Sequence, residues 1–324
     1  MKKQIHLIAQ FHNIRQNIDT GFRDPVSIRR KITRRSVMYI LTFFLFLLPA
    51  FGIYGTFTLF PLVRLFILSF QDWDGISRYP KWIWLENYKS VFQSQDFWLA
   101  LRHNLWWVLL ALIPVVLGLA LAIVLHQSKP RGRNIYRTII FLPYTLAIVV
   151  VALMFQWMYQ SKTGQLNTLL RLIGLESLTH NWLGDPNTAL TSLAMAGAWG
   201  GYGFCMVLFL AGLSNIDPLL YDAAQVDGAG PWQKFLHITL PGLANTLNIV
   251  ILIVFIYTMR VFDFVFITTQ GGPIDSTQVL ATIIYRETFK YYNVGYGSAL
   301  SVITLLITLL ASLIYITLRE RGPK

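Results

Sequence analysis

The chain has 324 residues, 55% hydrophobic and 13% charged, with a mean hydropathy of +0.52 and a net charge of +12. So apolar a composition excludes an ordinary soluble domain of this length. The single cysteine, Cys205, excludes an intrachain disulfide and a cysteine-rich metal site.

Residues 1–36 are basic and weakly amphipathic, with Ile5, Leu7, Ile8 and Phe11 among polar neighbours. This fits both a cytoplasmic helix lying against an anionic leaflet and an irregular tail. Six runs without Asp, Glu, Lys, Arg or His follow, at 37–63, 105–125, 138–160, 187–216, 238–259 and 294–318. About 20 helical residues cross a bilayer core of about 30 Å, so each run predicts a transmembrane helix, the fifth continuing to 268. The first run is longer than a signal-peptide core and has no A-x-A cleavage site, so it is expected to remain as an anchor. The predicted fold is all-α and integral to the membrane, with one membrane domain over 37–324 and no soluble domain.

The charges then acquire a meaning. Of the 27 Lys and Arg residues, 17 fall on one side of the six runs, nine of them before residue 37 and four more at Lys129, Arg131, Arg133 and Arg137. The positive-inside rule puts both termini in the cytoplasm, and the basic excess becomes a topology signal, with contacts to membrane lipid and none to nucleic acid.

Between the first two runs, residues 71–99 are dense in aromatics (Trp73, Trp82, Trp84, Tyr88), which suits an interfacial belt on the outer side. The short link 127–136, with Pro130 and Gly132, makes the second and third spans antiparallel neighbours, and Pro143 is expected to kink or cap the third. Leucines at 166, 169, 170 and 172 predict a short outer helix. In the fourth span, Gly197 and Gly201 have the small-xxx-small spacing that favours close helix approach over a hinge.

The link 221–241 differs from its surroundings. Pro218 suits the first turn of a short helix, Gly228–Pro231 must interrupt it, and 232–238 has the spacing of a second short helix ending near Pro241. The result is a helix, a sharp turn and a helix on the inner side. Its small residues Ala223, Ala224, Val226 and Ala229 allow close approach by another protein, with Asp222 and Asp227 beside them to meet cations.

At Asp222-Ala223-Ala224, Gly228 and Ile238, Leu240, Pro241 this link resembles the EAA loop of permease subunits of bacterial binding-protein-dependent ABC importers. Leu48-Pro49, Ser69-Phe70, Glu86-Asn87-Tyr88, Leu142-Pro143, Phe262-Asp263, Gly271-Gly272-Pro273 and 295–300 carry the resemblance from about residue 37 to the C-terminus. They are similar to the carbohydrate-uptake permeases of the maltose and glycerol-phosphate type. One departure is Asp222, where the family has Glu with one more methylene.

The resemblance implies the importer permease fold in the bacterial inner membrane, with the link between the fourth and fifth spans as a coupling helix. Asp222, Ala223, Ala224, Asp227, Gly228 and Ala229 would seat in a groove of an ATPase. It also implies the partners: a second homologous permease, two ATP-binding subunits that use ATP and Mg, and an extracytoplasmic solute-binding protein. No cofactor belongs to this chain.

A path for a sugar or polyol should combine aromatic faces with neutral amides and hydroxyls. In the fourth span Trp199 and Tyr202 qualify, and in the fifth Asn245, Asn248 and Asp263, although helix packing explains each equally well. Ser301, Thr304, Thr308 and Ser312 form a stripe better suited to joining helices. Arg260 and Asp263, three residues apart, are expected to pair.

Three other functions fit poorly. An ion-coupled transporter of a small polar solute would need carboxylates or histidines within its spans, and the six runs have none. An intramembrane enzyme would need H-E-x-x-H, G-x-S-x-G or an aspartate pair within the spans, and an ATPase would need a Gly-Lys pair; the sequence has none of these motifs and the six runs no aspartate.

Overall fold

The computed structural model describes residues 25–128 and 131–320. Expectations for residues 1–24, for Lys129 and Pro130 and for the last four residues lie outside that range. The chain divides into two compact units, Met1–Arg64 and Leu65–Lys324.

In the first unit, α1 (Pro25–Tyr54) leads through a π-helical turn (Gly55–Leu59) into α2 (Phe60–Leu68). Phe43, Phe46, Phe51 and Phe57 are all more than 60% exposed. A helix that is apolar all round and buries none of these side chains in its own chain needs lipid or another protein as solvent.

The second unit begins with a two-stranded hairpin, β1 (Gln71–Asp72) antiparallel to β2 (Lys81–Trp82) with Gln71 opposite Trp82. Between the strands, the Asp74 carboxylate accepts from the backbone N–H groups of Ile76 and Ser77 at 2.9 and 2.7 Å. Those bonds, Ser77 first, bring its pKa down to about 2. After α3 (Glu86–Gln93), α4 (Gln95–Leu110) and α5 (Leu112–Ser128) make one span of 34 residues.

That span starts ten residues before the uncharged run, because its polar side chains are satisfied inside the protein. His103 Nδ1 lies 2.8 Å from the Gln278 carbonyl. The Asn104 amide, fully buried, donates to Thr258 O at 3.1 Å and accepts from Leu280 N at 2.9 Å.

The third predicted span is broken. α6 (Arg133–Thr145) and α7 (Ile148–Met158) meet at 88°, with Leu146 and Ala147 extended three and four residues beyond Pro143. Then come α8 (Gln165–Leu172) and the straight α9 (Ala189–Leu213). The link holds α10 (Pro218–Val226) and α11 (Pro231–Lys234), a π turn (Phe235–Thr239) and α12 (Leu240–Gly242). α12 bends by 68° into α13 (Ala244–Met259). The fifth run therefore ends at Met259, and residues up to 268 form a separate helix, α14 (Asp263–Thr268). α15 (Leu280–Tyr285), a π turn (Arg286–Lys290) and the last span α16 (Val294–Glu320) complete the chain.

Among the described residues, four helices are long and apolar enough to cross a membrane, and up to six spans result if each bent pair counts as one. α9 is the hub. Met206, Phe209 and Leu210 pack with Leu243 and Val250 towards the link, and Leu193 packs with Phe155 and Phe264 towards the opposite end. Close helix approaches use Gly118 and Gly203. A Cβ on Gly118 would stand 2.6 Å from Cys205 Cβ, and one on Gly203 would overlap the Ile140 carbonyl oxygen. Gly197 and Gly201, the pair with the packing spacing, have looser surroundings: their nearest neighbours, Trp107 and Pro114, are 3.6 Å from such a Cβ. Cys205 is buried, as a small apolar residue in a span should be.

Candidate functional site: the link elbow and the cavity at the helix break

The link is an elbow built from local signals. Asp217 caps α10 by accepting from Leu219 N at 2.9 Å, with Pro218 in the first turn. α10 ends in a Schellman motif: Ala229 N donates to Ala224 O at 2.8 Å and Gly228 N to Gln225 O at 3.1 Å. That geometry puts Gly228 at φ +76°, in the left-handed region where a Cβ is costly, although nothing lies within 4 Å of where its Cβ would be. The glycine is needed for its backbone angle, and close approach within this chain is no part of the reason.

Two bonds hold the arms together. The Tyr221 and Thr239 hydroxyls are 3.0 Å apart, and Lys234 Nζ donates to Gln225 Oε1 at 3.4 Å. Asp222, Ala223 and Asp227 are exposed, Ala224 and Ala229 half-buried. Neither aspartate forms an ion pair among the described residues. Val226 is 88% exposed and Trp232 67% exposed. An apolar tip beside two unpaired carboxylates can enter an apolar groove with a basic rim.

The second feature is a cavity of about 430 Å³ where the third span breaks. Tyr144, Leu146 and Ile148 line it from the break, Gly197 and Gly201 from α9, and Tyr257 and Asp263 from the fifth span. Tyr144 stacks on Phe204 with ring centroids 4.7 Å apart. The small α9 residues leave space here that larger side chains would fill.

The path residues expected from sequence are scattered. Asp263 is exposed on the cavity wall. Arg260 does not pair with it, and the structure contains no ion pair between these two residues. Trp199 packs edge-on against Phe155 at 5.5 Å. Asn248 accepts from the Tyr315 hydroxyl at 3.0 Å, joining the fifth and sixth spans. Tyr202 is half-buried and Asn245 exposed, neither on the cavity wall. In the sixth span Ser301, Thr304 and Thr308 each bond a carbonyl four residues earlier in their own helix. The aromatic wall of Tyr144, Phe204 and Tyr257 was not foreseen, because only the fold places the break beside α9. Pro143 followed by an extended pair was the one local sign.

Several spans around a central cavity, two of them broken, and a polar elbow between the fourth and fifth define a transport subunit of the membrane. The family model for the binding-protein-dependent transport system inner membrane component matches residues 114–321, and the chain belongs to that family. A probable ABC transporter permease protein of Pyrococcus horikoshii is 36% identical, covering 86% of this chain and 96% of its own length. The trehalose/maltose transport system permease protein MalF of Thermococcus litoralis is 31% identical over 84% of this chain and 92% of its own. The lactose transport system permease protein LacF of Rhizobium radiobacter is 32% identical over 87% and 96%. Among solved structures, a bacterial ABC transporter that imports the acidic polysaccharide alginate superposes with a TM-score of 0.75 at 25% identity, covering 92% of this chain and all of the matched one.

Proposed function

We propose that the chain is a permease subunit of an ATP-driven importer in the bacterial inner membrane, both termini cytoplasmic, forming half of the pathway for a sugar or sugar-like polyol. The other half is a second homologous permease. Two ATP-binding subunits use ATP and Mg, and an extracytoplasmic solute-binding protein delivers the cargo. Relatives named for trehalose, maltose and lactose transport support the cargo class.

The observation that carries the coupling role is the elbow itself: a capped helix and a Schellman turn, bonded arm to arm, with an exposed apolar tip. Asp222, Ala223, Ala224, Asp227, Gly228 and Ala229 form the part that docks into an ATPase groove. Motion applied there passes from α10 to α11 through the two bonds between them, and on through α12 into α13. The far end of α13 carries Tyr257 and Thr258 on the cavity wall. Two arrangements of the bent spans, biased by nucleotide in the ATPases, would open that cavity alternately to each side. Asp263 and the aromatic wall then line the path, while Trp199 and Asn248 brace it and Tyr202 and Asn245 lie beside it.

The test is purification in mild detergent followed by reconstitution. An ATPase subunit and a solute-binding protein should copurify, and proteoliposomes should take up sugar only while ATP is hydrolysed. Accumulation without nucleotide turnover would overturn the reading.

A further inference from the structure

The end of the second unit opposite the link holds an open cleft of about 780 Å³, whose chemistry differs from that of the deep cavity. The cavity is aromatic and aliphatic, with one carboxylate. The cleft is lined by neutral amides and hydroxyls, among them Gln156, Gln160, Ser161 and Asn181, beside the indole of Trp157. Lys162 is its one charged side chain.

Its walls are pinned by buried polar bonds. Asn167, 1% exposed, uses its whole amide. Nδ2 donates to Ser161 O at 2.9 Å and His180 O at 2.8 Å, and Oδ1 accepts from His180 N at 3.2 Å and Trp182 Nε1 at 2.8 Å. One wall is thereby tied on both sides of α8. On the other wall Gln156 Nε2 donates to Thr268 O at 3.1 Å, while Thr277 Oγ1 bonds Thr269 Oγ1 at 2.8 Å and Gly272 O at 2.7 Å.

Gln156, Gln160, Thr268 and Thr269 are engaged in such bonds, but three groups facing the cleft are not. The Asn181 amide, the Ser161 hydroxyl and the Trp157 indole N–H make no hydrogen bond among the described residues, and Trp157 is 63% exposed. Rigid walls carrying free neutral donors and acceptors beside an aromatic face suit a ligand with several hydroxyls and a C–H face. α7 and α14, packed together, connect the two spaces: Ile148 and Asp263 at their first residues border the cavity, Gln156 and Thr268 near their last border the cleft. The 11 residues of α7 put the two ends about 16 Å apart.

We propose that this cleft is a staging subsite for a neutral mono- or oligosaccharide, distinct from the cavity, with Trp157 as stacking face and Asn181 as hydrogen-bonding group. Gln156 and Asn167 are positioning residues for its two walls. The proposal rests on the importer reading above, because it takes the cleft to lie on the outer side of the membrane.

The experiment uses the assembled transporter in nanodiscs, without binding protein or nucleotide, with maltose, trehalose and lactose as probes and saturation-transfer NMR as readout. Saturable transfer from at least one probe is expected, weakened about three- to tenfold by Trp157→Ala and by Asn181→Ala, the loss of one stacking or hydrogen-bonding contact. Tyr79→Ala, an exposed ring outside both the cleft and the cavity, should leave it within about twofold of the parent, about 0.4 kcal/mol, and Tyr257→Leu is made alongside to read the cavity. Both cleft residues are exposed, so the variants assemble. No saturable signal in the parent, unchanged binding in both cleft variants, or loss confined to Tyr257→Leu would overturn the proposal. So would a Trp157→Ala effect that appears only as a higher concentration of binding protein for half-maximal uptake, since the cleft would then be a protein contact. ATP-driven uptake by the parent in any of these cases leaves the importer reading intact; its absence sinks that reading and not the cleft alone.

Discussion

The link elbow and the opposite end of the molecule are both polar structures at helix ends, yet they are held in different ways. Every hydrogen bond that shapes the elbow joins residues at most 18 apart in sequence, and its tip is exposed. At the opposite end Asn104 reaches residues 154 and 176 positions away, and Arg286 pairs with Asp96 across 190. Burial alone would lower the Arg286 pKa, but the hydrogen bond and charge of Asp96 carry it above its ordinary value. The difference teaches that this chain places long-range polar bonds where the spans are clamped, and builds the elbow from local bonds, which a rigid-body movement would leave intact.

Breaking the clamp should have the largest effect. Asn104→Leu leaves Leu280 N buried without a partner and removes one of the donors to Thr258 O, and should cost about 2–4 kcal/mol, read as a lower unfolding temperature in detergent. An unchanged midpoint would mean that the clamp is dispensable. Next is the helix contact that sets the frame for both regions. Gly203→Val drives a side chain into the Ile140 carbonyl and should destabilise by about 1–3 kcal/mol, while Gly200→Ala, where a Cβ meets nothing within 4 Å, should be close to neutral.

The elbow should respond the other way. Gly228→Val forces a β-branched residue into the left-handed region at a local cost of about 1–2 kcal/mol. The unfolding midpoint should barely move, yet ATP-driven uptake should fall by about tenfold or more, with Gly228→Asn retaining more uptake because asparagine tolerates that angle. Wild-type uptake by Gly228→Val at normal abundance would remove the docking role.

The smallest effect sharpens the comparison at a purely local turn. The Asp74 carboxylate has a lowered folded-state pKa, so its contribution is fully present above its ordinary value of 3.8 and is lost as pH falls through about 2. The neighbouring Trp73 indole donates to Ser77 O at 2.8 Å, so its fluorescence should report the turn opening near pH 2. In Asp74→Asn that transition should vanish, with the spans undisturbed in both proteins.

Much of this was legible in the chain. Hydropathy located the long apolar helices, four straight and two bent pairs among the described residues, because lipid demands continuous apolar surface, and Pro218, Gly228 and Pro231 marked the elbow because proline and glycine act through their own backbone angles. What stayed hidden was relational. Apolar runs 138–160 and 238–268 read as continuous, although each contains a break whose cause is partly remote. No local pattern singled out Asn104, Asn167 or Arg286. The small α9 residues read as packing, but at Gly197 and Gly201 they make room for the cavity, and Gly203 takes the close contact.

The amino-acid order alone therefore determined the solvent of each segment, the family resemblance and the local shape of the elbow, since each depends on composition or on residues within a few positions of one another. Folding decided which helices break, which amides become clamps and which aromatic rings share a wall. The partners of Asn104 lie 154 and 176 residues away and Tyr144 stacks on a ring of another span, and no local pattern encodes who the partner will be.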